Sequence, residues 1–82
     1  EEVYISEHKD YLKIAAALLP EEPYNIYTWV EWTNKIKEKT SKKGKDLFMP
    51  LRLALTGKEK GPELKYLIPL LKKDKILKKI GQ

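Results

Sequence analysis

Five prolines and four glycines divide this chain into short pieces, and inside each piece the apolar residues recur every three or four positions. That is the spacing by which an α-helix buries one stripe of its surface. No piece shows the sustained apolar–polar alternation of a half-buried strand. The chain therefore reads as all-α, a small compact bundle of about five short helices with short connections. At 82 residues it makes one domain, spanning 1–82. A chain of that length buries only roughly 60–65% of its unfolded surface, so the core is small.

The first helix should run over 7–19, with Ser6 as N-cap, an apolar face of Tyr11, Leu12, Ala15, Ala16, Leu18 and Leu19, and Pro20 as its stop. Pro20 to Pro23 is a rigid turn, since both rings fix φ and remove donors. The second helix should begin at Asn25 or Tyr27 and reach Thr40. Ile26, Trp29, Val30, Thr33 and Ile36 share one face, which places Trp29 in the core and Trp32 at that face's edge. The third should span 45–56 and is apolar on nearly all sides, which suits the middle of a bundle. Pro50 implies a kink or a fresh start there, and Gly57 a left-handed close. Gly61-Pro62 should open a fourth helix, with proline at its first position, bearing Leu64, Leu67, Ile68 and Leu71 and bent or ended by Pro69. Asp74 is the expected cap of a last helix carrying Ile76, Leu77 and Ile80.

Charge is unevenly divided. Residues 1–41 carry five lysines against eight acids, a net of −3, whereas 42–82 carry eleven lysines and Arg52 against four acids, a net of +8. Such asymmetry is expected of a phosphate-facing half, although a lysine-rich solvated surface gives the same count. The chain has no cysteine, so neither a disulfide framework nor a thiolate metal site is available. His8 is the single histidine and has no partner at ligand spacing; it reads as a surface residue. The longest uninterrupted apolar run, Ile14 to Leu19, is far short of the roughly 20 residues of a membrane span. Glu1 and Glu2 stand where a signal peptide would be basic. These absences point to a soluble, cytoplasmic, reducing setting, and a Glu-Glu-Val start without Met suggests a fragment of a longer protein. No pair of carboxylates is placed for acid–base work, Gly44-Lys45-Asp46 lacks the residues of a phosphate loop, and no catalytic or metal-ligating residue is expected.

Sixteen lysines supply every basic charge but one, and the one guanidinium, Arg52, lies inside the apolar run Leu51-Arg52-Leu53-Ala54-Leu55. Thr56, four residues on, shares its side of the helix. A guanidinium is planar, weakly hydrated and forked, so at a half-buried edge it can stack on or hydrogen-bond a flat ligand where lysine would only attract charge. The competing reading is structural: Arg52 ties down a helix end or pairs with an acid. The loop from Thr56 to Pro62 favours the first. Lys58 and Lys60 attract a phosphate backbone, the start of the fourth helix offers N–H donors, and Leu64 gives an apolar ledge. On this reading Arg52→Lys weakens RNA binding and leaves stability nearly unchanged.

The run GKDLFMPLRLALTGKEKGPEL, residues 44–64, resembles the anticodon-binding end of bacterial-type glutamyl-tRNA synthetase (glutamate–tRNA ligase, class I). That family carries a P-L-R-x-A-L-T-G block followed closely by G-P-x-L, here Pro50 to Gly57 and then Gly61 to Leu64. The stretch around Trp29 and Ile36-Lys37 is similar to the family's preceding helix, and the likeness covers about 7–80. It implies the C-terminal of two all-helical subdomains, without the catalytic domain and the upstream helical subdomain of the same enzyme. By resemblance Arg52, Thr56, Gly61, Pro62 and Leu64 would hold unstacked anticodon bases, while Lys45, Lys58 and Lys60 would hold phosphates. The partner implied is the anticodon loop of glutamate tRNA, bound by a monomer. The parent reaction joins glutamate to that tRNA with ATP and magnesium, neither of which this segment would bind. Where many members have glycine and then Arg-Leu near the end, this chain has Lys72-Lys73 and Lys79-Ile80, and Pro69 is unusual; these departures bear on geometry near its C-terminus. The alternatives are a helical protein-interaction or general RNA-binding module of the same fold and, less well matched to the apolar third helix, a basic surface for anionic membrane.

Overall fold

A computed structural model describes residues 8–81. Within them lie α1 (Lys9–Ala17), α2 (Thr28–Thr40), α3 (Lys45–Thr56), α4 (Leu64–Leu67), a 3-10 turn (Ile68–Leu70) and α5 (Lys73–Lys79). No strand occurs among the described residues, so the all-α expectation holds. Tyr11, Leu12, Ala15 and Leu19 from the first segment meet Trp32, Ile36, Leu47, Leu51, Leu55, Leu64, Ile68, Ile76 and Ile80 in one core.

His8 occupies the N-cap position of α1 without a side-chain cap bond; Ser6, the expected cap, lies outside the described residues. The turn after α1 is pinned by the Tyr24 hydroxyl, which donates to the Pro20 carbonyl at 2.8 Å. Burial, with Glu22 and then Glu21 adding negative charge, pushes that phenol up to about 12. Asn25 starts α2: its Oδ1 accepts the Tyr27 N–H and its own N–H donates to the Thr28 hydroxyl. An Asx turn of this kind offers the backbone a ready start.

The buried side of α2 differs from expectation. Thr28, Trp32, Thr33 and Ile36 are buried, whereas Ile26 and Val30 are 46% and 50% exposed. Trp32 is fully buried and Trp29 only partly so. Apolar residues cover more of α2 than one face can bury, so its neighbours choose between the edges. Trp32 wins because its indole N–H donates to the Ala15 carbonyl at 2.8 Å. That carbonyl lies in the last turn of α1 and also accepts the Leu18 N–H at 3.2 Å.

α2 rather than α3 is the hub, packing on α1, α3, α4 and the 3-10 turn, while α3 packs on α2 and α5. α3 buries Leu47, Pro50, Leu51 and Leu55 and leaves Phe48 42% exposed, so it is one-faced, not central. It runs on through Pro50 instead of restarting there. The ring leaves the Asp46 carbonyl without its i+4 donor, but Asp46 is exposed, so that carbonyl faces solvent. Gly57 closes α3 as expected, with φ 74° and its N–H on the Leu53 carbonyl at 2.8 Å. The Tyr11 hydroxyl donates to the Leu47 carbonyl at 2.6 Å and locks α1 to α3.

The last third is more broken than its apolar spacing suggests. Glu63 is extended, so Pro62 stands before α4 and not in its first turn. α4 makes a single turn before the chain tightens into the 3-10 segment around Pro69, which has no N–H to continue an α pattern. Lys72, not Asp74, holds the N-cap position of α5 and makes no side-chain cap bond. Asp74 sits inside the first turn, where its charge complements the helix dipole.

Candidate nucleic-acid interface

Arg52 emerges from the last turns of α3 and spans the loop that follows. Its Nη2 donates to the Pro62 carbonyl at 2.7 Å, closing residues 52–62 into a ring. Nη1 is buried and makes no hydrogen bond among the described residues. A methyl group on Gly61 would stand 3.4 Å from that nitrogen, so the loop backbone lies close over the guanidinium. The structural reading of Arg52 is met by one arm, which ties down the loop, while Nη1 is enclosed beneath the loop without an acceptor, a costly state for a buried donor. The bond to Pro62 also revises the expectation that Arg52→Lys leaves stability unchanged.

Thr56 has a local task. Its hydroxyl lies 2.8 Å from the Arg52 carbonyl and 3.1 Å from the Lys58 carbonyl, and accepts the Lys58 N–H at 3.1 Å. With Gly57 it satisfies the end of α3. Lys58, Lys60, Gly61 and Pro62 are exposed along the same loop. Leu64 is 3% exposed, a floor and not a ledge. The start of α4 offers little as a donor cluster, since one helical turn has almost no aligned dipole and the Tyr66 N–H is already given to the Glu63 carbonyl.

Lys45 is not part of this group. It lies at the opposite end of α3, seven residues and roughly 10 Å of helix away, and lines a separate depression with His8, Lys42, Asp46, Met49 and Pro50.

Beside Arg52 is a pocket of about 180 Å³ lined by Trp29, Phe48, Arg52, Glu63, Leu64 and Lys65. Trp29 and Phe48 were not expected here. Their rings come from α2 and from the first half of α3, with centroids 6.1 Å apart and planes tilted by 40°. The signal that could have found Trp29 is its distance of three residues from Trp32: a small core has room for one indole, and the other must line a surface. Among the described residues no group of three metal-ligating side chains occurs, and no helix is long and apolar enough to cross a membrane.

Comparison with known proteins fits this geometry. The chain is 56% identical over 72 residues to glutamate–tRNA ligase 1 of Rickettsia bellii (strain OSU 85-389), covering 88% of this chain and 16% of that protein. It is 51% identical over 74 residues to glutamate–tRNA ligase 1 of Chelativorans sp. (strain BNC1), covering 90% and 16%. With glutamate–tRNA ligase 1 of Parvibaculum lavamentivorans it shares 49% over 77 residues, 94% and 17% of the two chains. The chain thus spans about a sixth of the length of these relatives. No solved structure matches it at a significant level. The family described as "Anticodon binding domain" matches residues 3–82, and this chain belongs to that family.

Proposed function

We propose that this chain is the anticodon-recognition segment of a glutamate–tRNA ligase, and that it works by binding alone. The observation that carries the reading is Arg52: a lone guanidinium lining a small pocket, next to a loop bearing Lys58 and Lys60. A splayed anticodon base brings acceptor atoms on its edge, which the guanidinium can take, and a phosphate on either side, which the lysines attract. Gly61 keeps the loop backbone close to Arg52, and Pro62 anchors the loop through its carbonyl. Residues 1–82 would form one unit of a longer, monomeric cytoplasmic enzyme. The joining of glutamate to tRNA, with ATP and magnesium, would take place in the remaining five-sixths of such a protein.

The test is an NMR titration with the anticodon stem-loop of glutamate tRNA beside a loop of scrambled sequence, at two salt concentrations. Shifts at Arg52, Lys58 and 61–64 that are larger for the true loop support base recognition. Equal shifts for both loops, spread over the lysines and lost at high salt, would reduce this chain to a phosphate grip. An absence of shifts with either RNA would refute the reading and leave a protein partner as the occupant of the basic face.

A further inference from the structure

We propose that Trp29 is the stacking platform for one unstacked RNA base, whose edge then meets Arg52. The inference rests on the RNA reading above and adds to it the face of the base, which the Arg52 loop by itself does not supply.

Trp32 is withdrawn from any ligand, being fully buried with its N–H on the Ala15 carbonyl. Trp29 is only partly buried, at the edge of the core, and is not loose. It packs edge-on against Trp32, centroids 5.8 Å apart and planes at 78°, and against the tilted ring of Phe48. Two aromatic contacts thus fix its plane before any ligand arrives, so little ordering cost is left for binding. Partly exposed, Trp29 lines the pocket together with Arg52, Glu63, Leu64 and Lys65.

The pocket's size and chemistry select the occupant. A volume of about 180 Å³ is space for roughly six waters and lies below the roughly 300–1,000 Å³ of ordinary small-molecule sites. It suits a single flat ring. An apolar side chain from a protein partner would fill the space but bring no acceptor for the guanidinium of Arg52 and no charge for Lys65, both of which line it. A base carries a π-face for Trp29, edge acceptors for the guanidinium and a phosphate for the lysines. Stacking tolerates any base because each has such a face. Trp29 therefore supplies affinity, and Arg52 supplies the discrimination.

The two indoles also provide the readout. RNA binding to the 82-residue chain is followed by tryptophan emission and, separately, by anisotropy of a labelled anticodon stem-loop. Saturating RNA should quench the emission. Trp29→Phe keeps a ring and should bind within about threefold of the parent, while its remaining emitter, Trp32, stays unquenched. Trp29→Leu keeps apolar bulk without a π-face and should bind about tenfold more weakly to matched and scrambled loops alike. Amide spectra of each variant establish that it is folded. Unquenched emission at saturation, or a folded Trp29→Leu chain that binds like the parent, overturns the stacking role while the anticodon reading stands. Failure of the unaltered chain to bind either RNA overturns both.

Discussion

Two tryptophans three residues apart on α2 do different work. Trp32 turns toward α1, loses all contact with solvent and donates to a carbonyl at the end of that helix. Trp29 turns toward α3 and α4, keeps part of its ring open and shares a corner with Phe48. The residue type and the helix are the same. What differs is the neighbour on each side: a helix end whose carbonyl accepts a second bond on one, and a loop clasped by an arginine on the other. An indole becomes core where its N–H has a buried partner, and surface where its face is all that is wanted.

The contrast can be broken most easily at its buried end. Trp32→Ala removes the largest fully buried side chain and its bond to the Ala15 carbonyl, and should cost about 3–5 kcal/mol in urea unfolding, much of the total stability of so small a domain. Trp29→Leu should cost less than about 1.5 kcal/mol. Equal losses would mean that both indoles are structural. Next in size is Arg52→Lys, expected to weaken anticodon binding by about 1–3 kcal/mol and, through the lost bond to Pro62, to lower stability by about 1 kcal/mol. A full loss of fold would place Arg52 entirely on the structural side of the comparison.

The α1 side carries an alkaline signature as well. Burial raises the Tyr11 phenol well above its ordinary 10.0, so its contribution is complete below pH 10 and drains away as pH climbs beyond that value, because the unfolded chain loses the proton first. Tyr24, raised to about 12, acts in the same direction. Tyr11→Phe should lower stability at neutral pH by about 1 kcal/mol, the worth of the hydrogen bond to Leu47, and should flatten the loss between pH 10 and 12. An unchanged alkaline slope would show that Tyr11 does not set it. The smallest effects belong to single lysines. Lys58→Ala and Lys60→Ala should each reduce the logarithmic salt slope of RNA binding by about 0.7. Lys45→Ala should leave the slope unchanged if only the Arg52 end of α3 meets RNA, and an equal drop there would extend the interface along the helix.

What could be read from the chain without its fold was whatever depended on near neighbours. The span of α3, the left-handed close at Gly57 and the end of α2 at Thr40 follow from capping and breaking residues next to them. The choice between the two edges of α2 could not be read, because the deciding group is a carbonyl on another helix. Asp74 misled because its type suits a cap, while the chain turns two residues earlier, at Lys72. The break of α4 at Pro69 was legible in that proline, whereas the 3-10 turn was not, because apolar residues three apart serve it nearly as well as an α-helix. The site divides in the same way. Arg52, Lys58, Lys60 and 61–64 are consecutive and were legible as a block, whereas Trp29 joins them only through packing. Lys45 is the converse, near in the motif and at the far end of the helix.

The clasp from Arg52 to Pro62 carries a rule about change over generations. Between Gly57 and Gly61 no side chain reaches the core, so packing leaves the identity of these residues open and only the phosphate contacts proposed for Lys58 and Lys60 would hold their charge. Their number is another matter. One residue inserted would cost little closure entropy, yet it would carry the Pro62 carbonyl away from the guanidinium that reaches for it. The loop should therefore hold its length even where a residue outside its RNA contacts changes, with the arginine serving as its ruler.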